Sequence, residues 1–358
     1  MSFLLIGIPR ECKPKEGRVG LTPQAAAGLV LAGHDVAIET KAGLLSGFSD
    51  QDYRDLGIKV LPDAASLYEY ATLIVKVKEP VEKDLALLTS KHILFSFLHL
   101  APNPELLRQL LSIGLTAIAF ESVERHGKRP LLAPMSEIAG RLAVQAGAQY
   151  LHSSEGGKGI LLGGATGAPP GKVVVLGAGM AGQHATHEAT AYGADVVVFD
   201  NNMDALRQVK ASTPHVTGLY SHSDAVSDYV MAADLVIGAV LLPDSKAPRL
   251  VSKANVKAMA QGSVIVDIAI DQGGCVETMR PTDYDNPVYV KYGVIHMGVT
   301  NLPGAVPRTA SQALSSAITP FVHLLADGGL DRESALFGVI NVQSGKIIHP
   351  CLKDCLKP

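Results

Sequence analysis

The chain has 358 residues, enough for two domains that each bury a core. A net charge of −3 offers nothing to draw nucleic acid or an anionic membrane, and the 47% hydrophobic content is spread through short runs broken by Gly and Pro. No run approaches the ~20 apolar residues of a membrane span. Four cysteines, Cys12, Cys275, Cys351 and Cys355, are sparse and unpatterned, which reads as free thiols in a reducing compartment.

The opening residues lack a basic leader and read as a first strand, Phe3–Ile8, rather than a signal peptide. A β/α alternation then runs to about residue 121. Strands are expected at Val36–Glu39, Thr72–Lys78, Ile93–His99 and Thr116–Glu121, and helices at Pro23–Gly33, Ala64–Tyr70 and Pro104–Ser112. This predicts a doubly wound sheet, in which ligand groups gather at the carboxyl ends of the strands. Three sites there carry chemistry. Arg18 precedes Thr22, a candidate N-cap, and Pro23, a first helical residue; its position alone suits a solvated loop arginine. Lys76 and Lys78 share one face at a strand end, where two ammonium groups need anions. Glu79 could meet one and leave the other for a ligand, unless the strand end is simply exposed. His99 closes an apolar strand, as a hydrogen-bonded core histidine would, or as an acid/base titrating near neutrality.

A basic run, Glu124 to Pro130, reads as a surface turn and a domain boundary. The expected division is 1–130 with 306–358 as a substrate domain and 131–305 as a nucleotide domain. Pro134-Met135-Ser136-Glu137 opens a helix, with Ser136 its candidate N-cap, and Ala139, Leu142, Ala143, Ala146 and Gly147 recur at helical spacing for close packing between domains.

After a Gly-rich link, Lys172 to Asp200 holds the most specific signal. Val173 to Leu176 suit a strand buried on both faces. Gly177, Gly179 and Gly182 have dinucleotide-binding spacing: one permits the tight turn, one lets backbone approach a pyrophosphate, and one lets the following helix pack on the sheet. Asp200 closes the next strand, where a carboxylate accepts hydrogen bonds from a ribose diol and repels a 2′-phosphate. Asn201, Asn202 and Met203 supply no cation, so the pattern favours NAD over NADP. Further strands are expected at Asp234–Val240, in the run from Ser263 that ends ahead of Asp271 and, last, at Val294–Val299, with a helix from Thr309 to Ala326 returning to the first domain. Asp271, before two glycines, is either a turn former or a group facing the nicotinamide. His184 and His187 lack further ligands, so no metal site is read.

Six segments in order resemble the alanine dehydrogenase/pyridine nucleotide transhydrogenase family: Gly17-Arg18-Val19 with Thr22-Pro23, Val75–Pro80, Phe97–Leu100, Ala133–Gly140, Gly177–Gly182 and Val266–Cys275. The resemblance implies two doubly wound Rossmann-like α/β domains separated by an active-site cleft, and NAD-dependent, reversible oxidative deamination of L-alanine to pyruvate and ammonium. It implies that Arg18 and Lys78 hold the substrate carboxylate, that Met135 walls the pocket, and that His99 and Asp271 are catalytic. Ser136, Gly177, Gly179, Gly182, Asp200, Ser221, Val240, Leu241, Ile268, Ala269, Ile270, Asp271, Arg280, Val299, Asn301 and Leu302 match cofactor positions. Ala205 departs from a basic residue in some members. The family further implies a cytoplasmic homohexamer acting on small molecules, without nucleic-acid or membrane partners. Rival readings are a transhydrogenase-type NAD(H)-binding subunit, a dehydrogenase of a larger amino acid, and a non-catalytic NAD sensor.

Overall fold

The computed structural model describes residues 4–125, 127–240, 247–328, 337–353 and 355–356. Phe3 and Leu241, named above, and His126 of the basic run lie outside them. The chain forms two units, Met1–Met135 with Val306–Pro358, and Ser136–Ala305.

In chain order, the first unit contributes β1 (Ile6–Ile8), α1 (Pro23–Leu31), β2 (Val36–Glu39), α2 (Asp50–Arg54), β3 (Lys59–Leu61), α3 (Ala64–Tyr70), β4 (Leu73–Val75), α4 (Glu82–Leu85), β5 (Ile93–Ser96), α5 (Pro104–Ile113) and β6 (Thr116–Ala119). Helix α6 (Ala133–Tyr150) carries the chain into the second unit. That unit holds β7 (Lys172–Leu176), α7 (Met180–Ala191), β8 (Asp195–Asp200), α8 (Met203–Ser212), β9 (Thr217–Tyr220), α9 (Ser223–Ala232), β10 (Leu235–Gly238), α10 (Lys253–Ala258), β11 (Val264–Asp267), β12 (Val288–Lys291) and β13 (Val294–Met297). The chain then returns to the first unit through α11 (Pro307–Ala326), β14 (Ile340–Gln343) and β15 (Lys346–Ile347).

The first sheet runs β15-β14-β6-β5-β4-β1-β2-β3, parallel except for β14 and β15. Val294–Met297 is therefore not the last strand, as expected above. Strand β14 is tied across to β6 by Asn341, whose Oδ1 accepts from Ala119 N at 2.7 Å and whose Nδ2 donates to Ser122 Oγ at 2.9 Å. Order reverses between β1 and β4, so their carboxyl ends flank the switch point where doubly wound sheets bind ligands. Helix α5 illustrates how local sequence sets the elements. Asn103 caps it by accepting from Leu106 N, Pro104 opens it, Gly114 ends it at φ 78°, and Leu106, Leu107 and Leu110 form its buried stripe.

The second sheet runs β12-β13-β11-β10-β7-β8-β9, with only β12 antiparallel among the described strands. Its apolar runs alternate between two cores. Val173, Val175, Val196, Val198, Leu235 and Ile237 face one, and Val174, Leu176, Val197, Phe199 and Val236 the other. Burial on both faces is why these strands read as continuous apolar runs. Helix α6 packs within this unit. A Cβ on Gly140 would lie 2.2 Å from Ala181 O of α7, and one on Gly147 would lie 2.5 Å from Leu235 of β10. Ser136 sits in the first turn of α6 rather than at its cap, because the helix starts at Ala133. Among the described residues no helix is long and apolar enough to cross a membrane.

Candidate active site

In the first unit, the loop after β1 carries Arg18, and the structure corrects its reading as a solvated loop residue. The side chain is buried, 2% exposed. Its Nε and NH2 donate to the two carboxylate oxygens of Glu16 at 2.7 and 2.5 Å, and NH1 lies 3.1 Å from Met135 Sδ. A buried guanidinium needs such a partner, since an uncompensated charge out of water is costly. The loop is itself fixed from α11: Ser311 Oγ accepts from Val19 N at 3.0 Å, and Ser315 Oγ accepts from Thr22 N at 3.0 Å. Thr22 stands at the N-cap position of α1 but makes no side-chain cap bond.

The strand β4 ends at Val75, three residues earlier than expected, and the two lysines beyond it differ in surroundings. Lys76 is 1% exposed and pairs with Asp84 at 3.1 Å and Glu11 at 3.6 Å. Burial lowers its pKa, but the two carboxylates outweigh this and leave it raised. Glu11 also accepts from Val77 N at 2.7 Å, and Tyr68 donates to Asp84 at 2.9 Å. Lys76 is thus a structural cation. Lys78, at the same strand end, is half-buried. Glu79, expected to neutralise a lysine of this pair, instead pairs with Lys13 and faces His99 Nδ1 at 3.8 Å.

His99 follows β5, which ends at Ser96. It adopts a left-handed backbone, φ 47°, uncommon for a residue other than Gly. Glu121 holds that turn, accepting from His99 N at 2.6 Å and from Leu98 N at 3.3 Å. The imidazole is 44% exposed. Burial lowers its pKa, but the nearby Glu79 carboxylate and the Glu121 charge outweigh it and raise the value above that of an ordinary histidine. Glu79 is correspondingly held well below the usual carboxylate range: burial pushes it up, and His99 and Lys13 more than reverse this.

In the second unit, six parallel strands bring their carboxyl ends to one edge, and nearly all the expected cofactor residues follow those ends. Gly177, Gly179 and Gly182 follow β7, Asp200 ends β8, Ser221 follows β9 and Val240 follows β10. Ile268, Ala269, Ile270 and Asp271 lie in the 3-10 turn after β11, and Val299, Asn301 and Leu302 follow β13. Ser136 comes instead from α6, and Arg280 from the segment after the β11 turn. The Arg280 guanidinium stacks 4.3 Å over Tyr289, and the Arg280 backbone N–H donates to Tyr289 Oη at 2.9 Å.

The three glycines have separable surroundings. Gly177 turns at φ 105°, and a Cβ there would lie 2.6 Å from Ala239 O. A Cβ on Gly182 would lie 1.7 Å from Gly177 O, so α7 packs directly on the turn. A Cβ on Gly179 would meet nothing within 4 Å, and this open space borders the N-terminus of α7, which has no side-chain cap. That is a cradle for an anionic group on backbone N–H donors. Asp200 braces it, accepting from Ala178 N at 2.6 Å and Asn202 N at 2.7 Å. Two such bonds leave lone pairs on both oxygens for a diol. The residues therefore fit a dinucleotide.

Asp267 and Asp271, four residues apart, have different surroundings. Asp267 is fully buried and accepts from Ala269, Cys275 and Val276 N–H, tying the turn beneath Asp271. Burial raises its pKa to about 6. Asp271 is exposed. Sequence reasoning missed Glu16, Glu121 and the Lys13–Glu79 pair. Only the closeness of Glu16 to Arg18 in the chain signalled any of them.

Comparison with known proteins agrees with this arrangement. The model of the alanine dehydrogenase/PNT C-terminal domain matches residues 143–350, and that of the N-terminal domain residues 7–139. The alanine dehydrogenase of Methanococcus maripaludis is 45% identical over 97% of this chain and 95% of its own, and that of Bacillus subtilis 44% over 97% and 93%. A solved L-alanine dehydrogenase superposes with a TM-score of 0.94 at 47% identity, covering 98% of this chain and 99% of its own. A transhydrogenase from Sinorhizobium meliloti gives 0.84 at 27% identity, over 97% and 99%. With family models spanning both units and relatives this similar along nearly their whole length, the chain belongs to the alanine dehydrogenase/PNT family.

Proposed function

We propose that this chain catalyses the NAD-dependent, reversible oxidative deamination of L-alanine to pyruvate and ammonium. The observation that carries this reading is the buried guanidinium of Arg18 in the unit whose strand ends also bear Lys78 and His99: a cationic grip for a small carboxylate with a titratable imidazole. In this role Arg18 and Lys78 hold the substrate carboxylate, each charge counting for more where water is excluded. Met135, in contact with Arg18, walls the pocket.

The dinucleotide, held by Gly177–Gly182, Asp200 and the other cofactor positions named above, supplies the acceptor for the hydride leaving Cα. NAD rather than NADP follows from the Asp200 carboxylate, whose charge repels a 2′-phosphate. His99 takes a proton from the water that adds to the imine carbon of iminopyruvate, and returns it as ammonia departs. Asp271 orients that water or ammonia and stabilises the cationic intermediate. The family resemblance supports a cytoplasmic homohexamer.

The test is steady-state formation of NADH from NAD across small amino acids, with the reverse run from pyruvate and ammonium. L-alanine turnover with NAD at least tenfold preferred over NADP is expected. NADH binding without turnover on any amino acid would sink the catalytic reading, and turnover of lysine with 2-oxoglutarate would move it to a larger substrate.

A further inference from the structure

His99 stands on an unfavourable backbone turn, and the groups around it come from three separate segments. Glu121, in the 3-10 turn after β6, accepts from His99 N and Leu98 N. Glu79, from the segment after β4, faces Nδ1 at 3.8 Å, and its other oxygen is taken by Lys13 from the loop after β1. Phe97 stacks against the imidazole at 6.0 Å, with 25° between the planes. Glu79 Oε2 is buried and has no hydrogen-bond partner shorter than this ion-pair distance. Hydrogen bonds in catalytic groups are often long before substrate arrives and tighten in the complex.

We propose that Glu79 and Glu121 are positioning residues for His99. Glu121 holds the left-handed turn, and Glu79 accepts from Nδ1–H, keeping that proton on the ring so that Nε2 is the nitrogen offered to substrate. Lys13 moderates the charge that Glu79 presents. The proposal rests on His99 being the acid/base of the reaction proposed above.

Geometry and charge make the same demand. A left-handed turn at a non-glycine residue is strained and persists where surroundings impose it. The carboxylate of Glu121, bonded to two successive N–H groups, imposes it here. An imidazole has two nitrogens, and the bond made by one decides which proton the other can exchange. The charged groups facing the ring are Glu79, Glu121 and Lys78; the two carboxylates favour imidazolium and Lys78 opposes it. Lys13 bears on the ring only through Glu79.

The test uses two substitutions with opposite expected signs. Glu79→Gln removes a carboxylate from Nδ1, so the His99 pKa falls by about one unit. Lys13→Gln leaves Glu79 without its cation, so the His99 pKa rises. Both are read directly by NMR titration of isotope-labelled histidine in the full chain, assigned by loss of the signal in His99→Gln. The acidic limb of kcat/KM for L-alanine oxidation moves the same two ways. Glu121→Gln, which keeps an oxygen for His99 N, retains more kcat than Glu121→Ala, with NADH affinity equal in both. Shifts of the same sign in the Glu79 and Lys13 variants, or no shift in either, overturn the proposal. Should Glu79→Gln not fold, an unshifted or lowered value in Lys13→Gln overturns it alone. If His99→Gln keeps full turnover and its acidic limb, the acid/base reading of His99 fails instead, whatever the two carboxylates do.

Discussion

Gly179 and Gly182 are three residues apart in one turn, and replacing each with Ala should have opposite consequences for stability and similar ones for cofactor binding. At Gly182 the added Cβ would lie 1.7 Å from Gly177 O, less than any real contact, and the obstacle is backbone. Relief requires α7 to move away from β7, and overpacking of this kind costs about 1–3 kcal/mol or more. Two kcal/mol lowers Tm by about 4–8 °C for a domain of this size. At Gly179 the Cβ meets nothing within 4 Å, and φ −70°, ψ −172° is a conformation that alanine adopts without strain. Gly→Ala at such a site adds about 0.4–1 kcal/mol by restricting the unfolded chain. Yet the methyl occupies the space in which backbone N–H groups would meet a pyrophosphate. Thermal unfolding and NADH fluorescence titration separate the two effects. Gly182→Ala is expected to lower Tm and weaken NADH. Gly179→Ala is expected to keep or raise Tm and to weaken NADH at least tenfold, about 1.4 kcal/mol. Wild-type NADH affinity in Gly179→Ala, or equal Tm losses in both, would refute the assignment of the open space to the dinucleotide.

Arg18→Lys keeps the charge but loses the fork to Glu16, so KM for L-alanine should rise about tenfold or more while NADH affinity stays constant; an unchanged KM removes Arg18 from the substrate grip. Lys76→Met leaves Glu11 and Asp84 buried without their cation and should cost about 3–5 kcal/mol in urea unfolding, and a loss under about 1 kcal/mol would mean those carboxyls are not charged in the native protein. His99 has a raised native pKa, so its ion pair stabilises the fold fully below pH 6.5, the ordinary histidine value, and the contribution is lost as pH rises through the native one. The Tm advantage of wild type over His99→Gln should therefore shrink from pH 6 to pH 9, and a constant difference contradicts the pairing with Glu79.

The alternation of apolar runs with helical periods carried the doubly wound architecture, because strands buried on both faces have few other sequence solutions. Short edge elements escaped. Lys59–Leu61 has one exposed and two half-buried residues, and Thr217–Tyr220 is exposed at both ends, so neither shows an apolar run. Strands β14 and β15 gave no signal of where they would pair, since their neighbour β6 lies over two hundred residues away in the chain. At the site, the glycine spacing and Asp200 were legible because backbone geometry demands those residue types locally. Arg18, Lys78 and His99 were visible as polar groups at strand ends but gained roles only through resemblance, since a single cation or imidazole in a loop has many ordinary explanations. The carboxylates that partner Arg18, Lys76 and His99 come from Glu16, Glu11, Asp84, Glu79 and Glu121. Apart from Glu16 beside Arg18, only the folded sheet brings them near their partners, so local spacing could not have revealed their roles.

The return of α11 to the first unit bears on the order in which the protein matures during synthesis. Ser311 and Ser315 of that helix fasten the backbone around Arg18, and Ser46 joins the same cluster through Gly17 O at 2.7 Å and Ser311 Oγ at 2.8 Å. The dinucleotide turn lies wholly within residues 136–305. A nascent chain released after residue 305 would carry a finished nucleotide cradle and an unfastened arginine loop. The half of the molecule that leaves the ribosome first is thus the last to become competent.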